Sequence, residues 1–296
     1  MVTAAAAAGY HVVAVARQPM TLHADGVEAR VADVTKPDSI RCDAYRNEHF
    51  DVVVSCIASR TGAPQDARAI DHQANSKILK AARSADVGHF VYLSAICVQK
   101  PRLAFQYAKL AFERELVASG INWTIVRPTA FFKSLSGQIE RVRLGKPFLL
   151  FGNGELTSCK PISDSDLAQF VVNCFQNEDT VKRVLPIGGP GPAITPIEQG
   201  TMLFELTGQH PRFRRVRPGL FLLLSAILRP MAAISKVAAE KSEYLRIAHY
   251  YATESMLVWN RELAAYSADE TPEFGSETLD QHYRALLCNI PSDQSL

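Results

Sequence analysis

Lys109 is the residue of this chain whose type and setting most invite chemistry. It lies in a stretch, 105–119, whose apolar spacing predicts a helix closed by Gly120 as its C-cap. A helical lysine with a tyrosine one turn ahead of it can deliver a proton to an oxygen as a carbonyl is reduced. Here position 105 holds phenylalanine. The nearest tyrosine, Tyr107, sits two residues before the lysine, and that offset turns a side chain by roughly 200° around a helix. Tyr107 and Lys109 therefore cannot share a face. Ser94 closes a predicted strand one strand–helix unit earlier, where a polar side chain can orient a substrate. Lys109 and Ser94 are the candidate catalytic residues.

The elements that must position them alternate. Val12–Ala16 is a continuous apolar, β-branched run of the kind that forms a buried parallel strand. Val27–Val31, 51–57, His89–Leu93 and 121–126 read as further strands, with a helix over 70–85 and the Lys109 helix between them. Strands alternating with helices imply βαβ units, a parallel sheet covered on both faces, and ligands beyond the carboxyl ends of the strands. The fold class expected is α/β: a Rossmann-like doubly wound sheet over 1–150, then a smaller, mostly helical C-terminal substrate region over 151–296, interleaved with the last strands. In that second part FGNGELTSCKPIS, Asp164–Asp166 and LPIGGPGPAITPIEQG read as loops, and Thr195 with Glu198 forms a capping box ahead of a helix over 196–207.

Within this frame a nucleotide cofactor has candidate contacts. Arg17 follows the strand Val12–Ala16 directly, where an acidic residue would suit the ribose of NAD and an arginine suits the 2′-phosphate of NADPH. Asp33 and Val34 follow the next strand, facing the adenine, although Asp33 equally suits a helix N-cap. Ser55, Cys56 and Ile57 end a strand in small residues that let the backbone approach a cofactor. Lys109 can reach the ribose, and Pro128, Thr129 and Ala130 form the loop expected beside the nicotinamide. Phe131 and Phe132 could wall a flat ring or pack in the core. The Ala4–Ala8 run with Gly9 reads as the end of a helix. The first strand and glycine-rich turn expected before such a helix are not in this sequence, so weak NADPH binding is expected of the chain as it stands.

The composition is that of an ordinary globular protein: 296 residues, 47% hydrophobic, 21% charged, net charge +2. No long basic run points to nucleic acid. Six cysteines without metal-like spacing indicate reduced thiols, and no metal site is expected. Electrons would have to come from an organic cofactor. His89, His249 and His282 have no partners at catalytic spacing and are read as structural. Arg212, Arg214, Arg215 and Arg217 cluster ahead of the apolar run 219–228, which is too short to span a bilayer. That run suits a buried helix, an apolar pocket or a membrane surface.

The segments SAICVQKP, FQYAK, VRPTAFFKSL, CKPIS, LPIGGPG, TPIEQGTMLF and YYATESMLV together resemble the NADPH-dependent divinyl chlorophyllide 8-vinyl reductases. These are atypical short-chain reductases related to the NmrA-like proteins. The resemblance runs from about Gly9 to about Leu287 and lacks only the family's opening GATGYIG-like loop. It implies oxidoreductase activity on a divinyl chlorophyllide-type tetrapyrrole in chlorophyll or bacteriochlorophyll biosynthesis, with Phe131, Phe132 and the run 219–228 near the macrocycle and Lys133 beside a propionate carboxylate. It also implies the cytoplasm of a phototrophic bacterium or a plastid, with peripheral membrane contact an option; oligomeric state and the preferred tetrapyrrole stay open. A vinyl group conjugated to a macrocycle can take a hydride without an acid beside an alkoxide, which agrees with Phe105. The alternative is a non-catalytic NmrA-like NADP(H)-sensing or scaffold protein. Sugar epimerases and ketone reductases both need the tyrosine.

Overall fold

The computed structural model describes residues 1–22, 24–232 and 234–289. The strands are β1 (Val12–Ala16), β2 (Val27–Val31), β3 (Val52–Ser55), β4 (His89–Leu93), β5 (Asn122–Pro128), β6 (Phe148–Phe151), β7 (Arg183–Ile187), β8 (Phe213–Val216), β9 (Val258–Asn260) and β10 (Ala265–Ser267). The helices used below are α1 (Val2–Ala7), α2 (64–84), α3 (Ala104–Val117), α4 (Asp164–Asn173), α5 (Pro196–Leu206) and α6 (Gly219–Ala232).

The chain forms two compact units. The first comprises Met1–Arg127, Ala168–Leu185 and Met231–Tyr244; the second comprises Pro128–Leu167, Pro186–Pro230 and the chain from Leu245 on. Composition suggested a divide near residue 150, whereas the units cut the chain at 127 and interleave thereafter. The reason is topological: β7 returns to the sheet of the first unit after the chain has already built part of the second.

In the first unit β1 and β2 pair in parallel, Val12 opposite Val27 through Ala16 opposite Val31. A four-stranded sheet has the order β3-β4-β5-β7, with β3, β4 and β5 parallel. Among the described residues no strand joins β1 to β3. The parallel α/β architecture expected from the alternating pattern is met, and Val12–Ala16, Val27–Val31 and His89–Leu93 carry the expected bounds. Helix α1 ends as its sequence indicated: Gly9 takes φ +85°, and the amides of Gly9 and Tyr10 return to the carbonyls of Ala6 and Ala5 at 2.9 and 3.1 Å. Helix α2 starts before the expected residue 70, because Pro64 supplies the pre-set φ of a first helical position. Its turns over Arg68–Ala74 are π-helical, a local widening that recurs at functional sites. Phe90, Tyr92, Phe112, Leu116 and Ile125 centre the core between sheet and helices.

The second unit holds the parallel pair β6–β8 and the antiparallel hairpin β9–β10. Its core gathers Phe132, Val142, Phe148, Leu150, Phe204 and Tyr283. The capping box of α5 forms as expected, with Glu198 accepting from the Thr195 amide at 2.7 Å. Gly200 is required by close packing, since a Cβ there would lie 2.6 Å from the Phe213 ring. Asp164 and Asp166, expected in a loop, instead open α4, where Ser163 accepts from the Asp166 amide and the carboxylates suit the positive helix end.

His89 is structural, as its isolation suggested. It is buried in β4 with Nε2 2.9 Å from Thr124 Oγ1. Burial lowers its pKa below the ordinary 6.5, against the smaller opposing pull of a backbone hydrogen bond to Phe175. As pH falls through 6.5 the unfolded chain takes up a proton that folded His89 refuses, so folding stability falls with pH in that window. We expect the unfolding midpoint to drop between neutral and mildly acid pH, and His89→Gln to flatten that part of the profile. A profile unchanged by the substitution would exclude His89 as its source.

Candidate active site

Helix α3 turns Gln106, Lys109, Phe112, Glu113 and Leu116 inward and leaves Tyr107 56% exposed. Tyr107 donates to the Pro101 carbonyl and does not share the face of Lys109, as the helical offset required. Phe105 is half-buried one turn before Lys109, which is only 6% exposed. A buried ammonium needs partners. Lys109 Nζ lies 3.3 Å from Asp71 Oδ1 and 3.4 Å from the Tyr92 hydroxyl. Asp71 comes from the π-helical turns of α2, and its Oδ1 also accepts from the Ser59 amide at 3.4 Å. Its Oδ2 is buried with no hydrogen-bond partner. Burial holds Tyr92 firmly in its protonated form, reinforced by the charges of Asp71 and Glu113.

One turn along the same face, Glu113 accepts from Ser94 Oγ at 2.5 Å and from Arg127 Nε at 3.1 Å, with a second contact from the Arg127 guanidinium. Ser94 is buried and its hydroxyl is committed to Glu113. At the end of β3, Ser55 donates to Asn75 Oδ1 at 2.5 Å, and Asn75 in turn donates to the carbonyls of Ile70 and Asp71. Alternating charges and hydroxyls thus form a buried polar layer around Lys109. Lys109, Ser94 and Ser55 were expected here. Asp71, Asn75, Tyr92 and Glu113 were missed, although Asp71 and Asn75 stand four apart beside the buried alanines 67 and 74, a polar pair on an inward stripe.

Beside this layer a cavity of about 1190 Å³ opens in the first unit, lined among others by Arg17, Val34, Thr35, Ile57 and Ala58. Arg17 is exposed at its edge. Asp33 is engaged locally: its carboxylate accepts from the Thr35 amide at 2.9 Å and hydroxyl at 2.6 Å, which lowers its pKa. The helix N-cap read as one option for Asp33 is not formed, because Lys36 stands at the N-cap of the short helix Pro37–Ser39 without a side-chain bond and Asp33 closes a local turn onto Thr35; Val34 rather than Asp33 lines the cavity. Cys56 is exposed and Ile57 half-buried.

The remaining expected residues belong to the second unit. Pro128 ends β5; Thr129 bonds the Lys160 carbonyl, and the Ala130 carbonyl accepts from the Ile162 amide at 2.9 Å. Phe132 is 3% exposed and packs on His282 with ring centroids 5.3 Å apart, so it serves the core; Phe131 is half-buried and Lys133 exposed. Lys160 is buried against Glu273.

Residues 1–178 match a family of NAD(P)H-binding domains. The chain is 46% identical over 279 residues to the chloroplastic divinyl chlorophyllide a 8-vinyl-reductase of Cucumis sativus, covering 93% of this chain and 64% of that protein. It is 43% identical over 304 residues to the protein of the same name from Oryza sativa subsp. indica, covering 97% of this chain and 75% of the relative. The chain belongs to the divinyl chlorophyllide a 8-vinyl-reductase family. Membership agrees with the resemblance seen in its motifs and with a reductase built on an NAD(P)H-binding domain. The fold is shared more widely: an Escherichia coli NADPH-dependent quinone oxidoreductase, solved with NADPH, superposes with TM-score 0.67 at 16% identity, covering 94% of this chain and 90% of that one.

In this vinyl-reductase family member the Lys109–Asp71 pair makes a clear prediction. Lys109→Met leaves Asp71 as a buried, uncompensated carboxylate and should cost about 3–5 kcal/mol. Neutralising both in Asp71→Asn/Lys109→Met should recover much of that loss, read from urea unfolding of the four proteins of the cycle. Additive losses would show that the two side chains do not interact.

Proposed function

We propose that this protein uses NADPH to reduce the 8-vinyl group of a divinyl chlorophyllide-type tetrapyrrole to ethyl. The observation that carries the proposal is the half-buried Phe105 one turn before the buried Lys109. The site keeps a cation and presents no phenol from that helix face, so it suits an acceptor with no oxygen to protonate. The printed names of the plant relatives support the same substrate.

The residues present fit a dinucleotide. The cavity has the volume of a ligand pocket, small side chains such as Ala32 and Ala58 line it, and the exposed Arg17 guanidinium suits a 2′-phosphate. Arg17 would hold that phosphate, Val34 and Thr35 the adenosine, Ile57 and Ala58 the approach of the backbone, and Lys109 the ribose near the reacting end. When bound, NADPH supplies a hydride, which the terminal vinyl carbon accepts.

The electron pair displaced from the vinyl group spreads into the conjugated macrocycle, and the inner carbon then takes a proton. Lys109 Nζ is the proton-bearing atom proposed for that step, directly or through water. Asp71 fixes it in place, the Tyr92 hydroxyl accepts a hydrogen bond from it, and water returns the proton that it gives up. The main task of the remaining residues is to orient two flat rings and exclude water. Lys133, exposed after Phe131 and Phe132, is the proposed partner of a propionate carboxylate.

The test is to mix full-length protein, divinyl chlorophyllide and NADPH and follow the blue shift of the Soret band. Asp71→Asn/Lys109→Met, compared with Asp71→Asn, should lower kcat by about 10²–10⁴-fold. An unchanged kcat would remove Lys109 from the chemistry. Absence of any Soret shift, with NADPH bound, would favour a nucleotide-sensing protein instead. Arg17→Asp should weaken NADPH relative to NADH by about 10–100-fold, as expected for a lost charge-assisted contact, in fluorescence titration. Equal loss for both nucleotides would place the 2′-phosphate elsewhere.

A further inference from the structure

Helix α6 has its polarity reversed relative to an ordinary surface helix. Its sequence, GLFLLLSAILRPMA, contains no acidic residue, and Ser225 is its one buried side chain among the described residues. The inner row is Phe221, Ser225 and Leu228, spaced at four and three residues; Phe221 meets the Phe151 ring at 5.1 Å between centroids. The opposite side carries Leu220, Leu222, Leu223, Leu224 and Ile227, between 40% and 61% exposed. Large apolar side chains grouped in this way mark a surface made for something other than water.

The surrounding charge says what that is. From Leu206 to Ala239 the sequence holds no aspartate or glutamate, while it holds Arg212, Arg214, Arg215, Arg217, Arg229 and Lys236. Arg214 and Arg215 are exposed on β8, immediately before the helix. With its 14 residues α6 is shorter than the roughly 20 needed to cross a bilayer, and no helix of the described residues is long and apolar enough to do so. An apolar helix face flanked in the sequence by exposed cations and by no acidic residue is the pattern of a helix that lies in the plane of a membrane interface. A second copy docked on the same face about a two-fold axis would bring like arginine clusters together, which disfavours self-association.

We propose that α6 and the arginines of 212–217 seat the protein on the surface of a bilayer containing anionic lipid. The leucines and Ile227 enter the headgroup boundary, and the arginines meet lipid phosphates or sulfates. This surface shares no residue with the polar layer around Lys109, and the proposal does not depend on the reductase reading.

Flotation of full-length protein with vesicles tests it. Wild-type protein should float with vesicles of phosphatidylglycerol and phosphatidylcholine, remain behind with phosphatidylcholine alone, and release as salt is raised. Leu223→Glu/Ile227→Glu should abolish flotation while far-UV circular dichroism and the unfolding midpoint stay at wild-type values. Arg214→Gln/Arg215→Gln, two changes on an exposed strand surface, should weaken binding about thirtyfold; this variant keeps the test decisive should the first one fail to fold. The proposal is overturned if wild-type protein ignores anionic vesicles or if both variants bind like wild type. It is also overturned if sedimentation velocity without lipid finds a wild-type dimer that Leu223→Glu/Ile227→Glu dissociates. Vesicle binding untouched by that variant, with turnover of a soluble tetrapyrrole lost, would make the face a substrate wall and equally overturn it.

Discussion

The first unit is organised around an ammonium taken out of water. Lys109 sits on the inward face of α3, and transferring its charge into the core is costly unless opposite charge and hydrogen-bond partners meet it there. Asp71 supplies the charge from α2 and Tyr92 a hydroxyl from β4. The same helix face then presents Glu113, which requires Arg127 from β5 and takes the Ser94 hydroxyl at the end of β4. Together these partners tie α3 to α2, β4 and β5. The loop after β3 is held by the same device, through Ser55 to Asn75 and Ser59 to Asp71. A shift of α3 along its axis would unpair several buried polar groups at once, so this layer sets the register of helix against sheet more sharply than the surrounding leucines and phenylalanines do.

This arrangement explains what could be read in the amino-acid sequence. Val12–Ala16 and Val52–Ser55 announced themselves as apolar, β-branched runs, the composition favoured in parallel strands. Gly9 and the Thr195–Glu198 box marked helix ends through backbone chemistry that is local and so visible in a few residues. Lys109 was visible from its helix and its strand–helix spacing. Its partners were not, because they arise from contact between elements remote in sequence: Asp71 stands 38 positions before Lys109 and Glu113 meets Arg127 across a helix–strand boundary. Asp33 shows the converse. Its place after a strand suggested a nucleotide contact, while the nearer Thr35 amide and hydroxyl claim its carboxylate. Phe132 likewise has the type of a ring-stacking residue and the surroundings of a core residue.

The second unit could be read less well for a related reason. Its segments interleave with those of the first, so a composition change near residue 150 does not coincide with a change of unit. Gly200 sits where the rings of Phe213 and Phe148 press closely, a demand set by neighbours distant in the chain. The run 219–228 was legible as apolar and as too short to span a bilayer; only the structure separates its inner row, on Phe151, from the outward leucines.

The phenol absent from position 105 has a counterpart in Tyr92, and the difference between the two positions bears on the chemistry. A tyrosine at 105 would stand on the half-buried flank of α3 one turn from Lys109, able to reach a bound substrate. Tyr92 is fully enclosed, edge-on to Phe112 with centroids 4.7 Å apart, and its hydroxyl meets Lys109 from below. It can steady the lysine by accepting its hydrogen bond, but it cannot present a proton to a substrate oxygen. A site that keeps the ammonium, orients it with a carboxylate and a buried phenol, and leaves an aromatic ring where an acid would face the substrate is arranged for an acceptor whose negative charge disperses. A vinyl group conjugated to a tetrapyrrole has that property; a ketone does not.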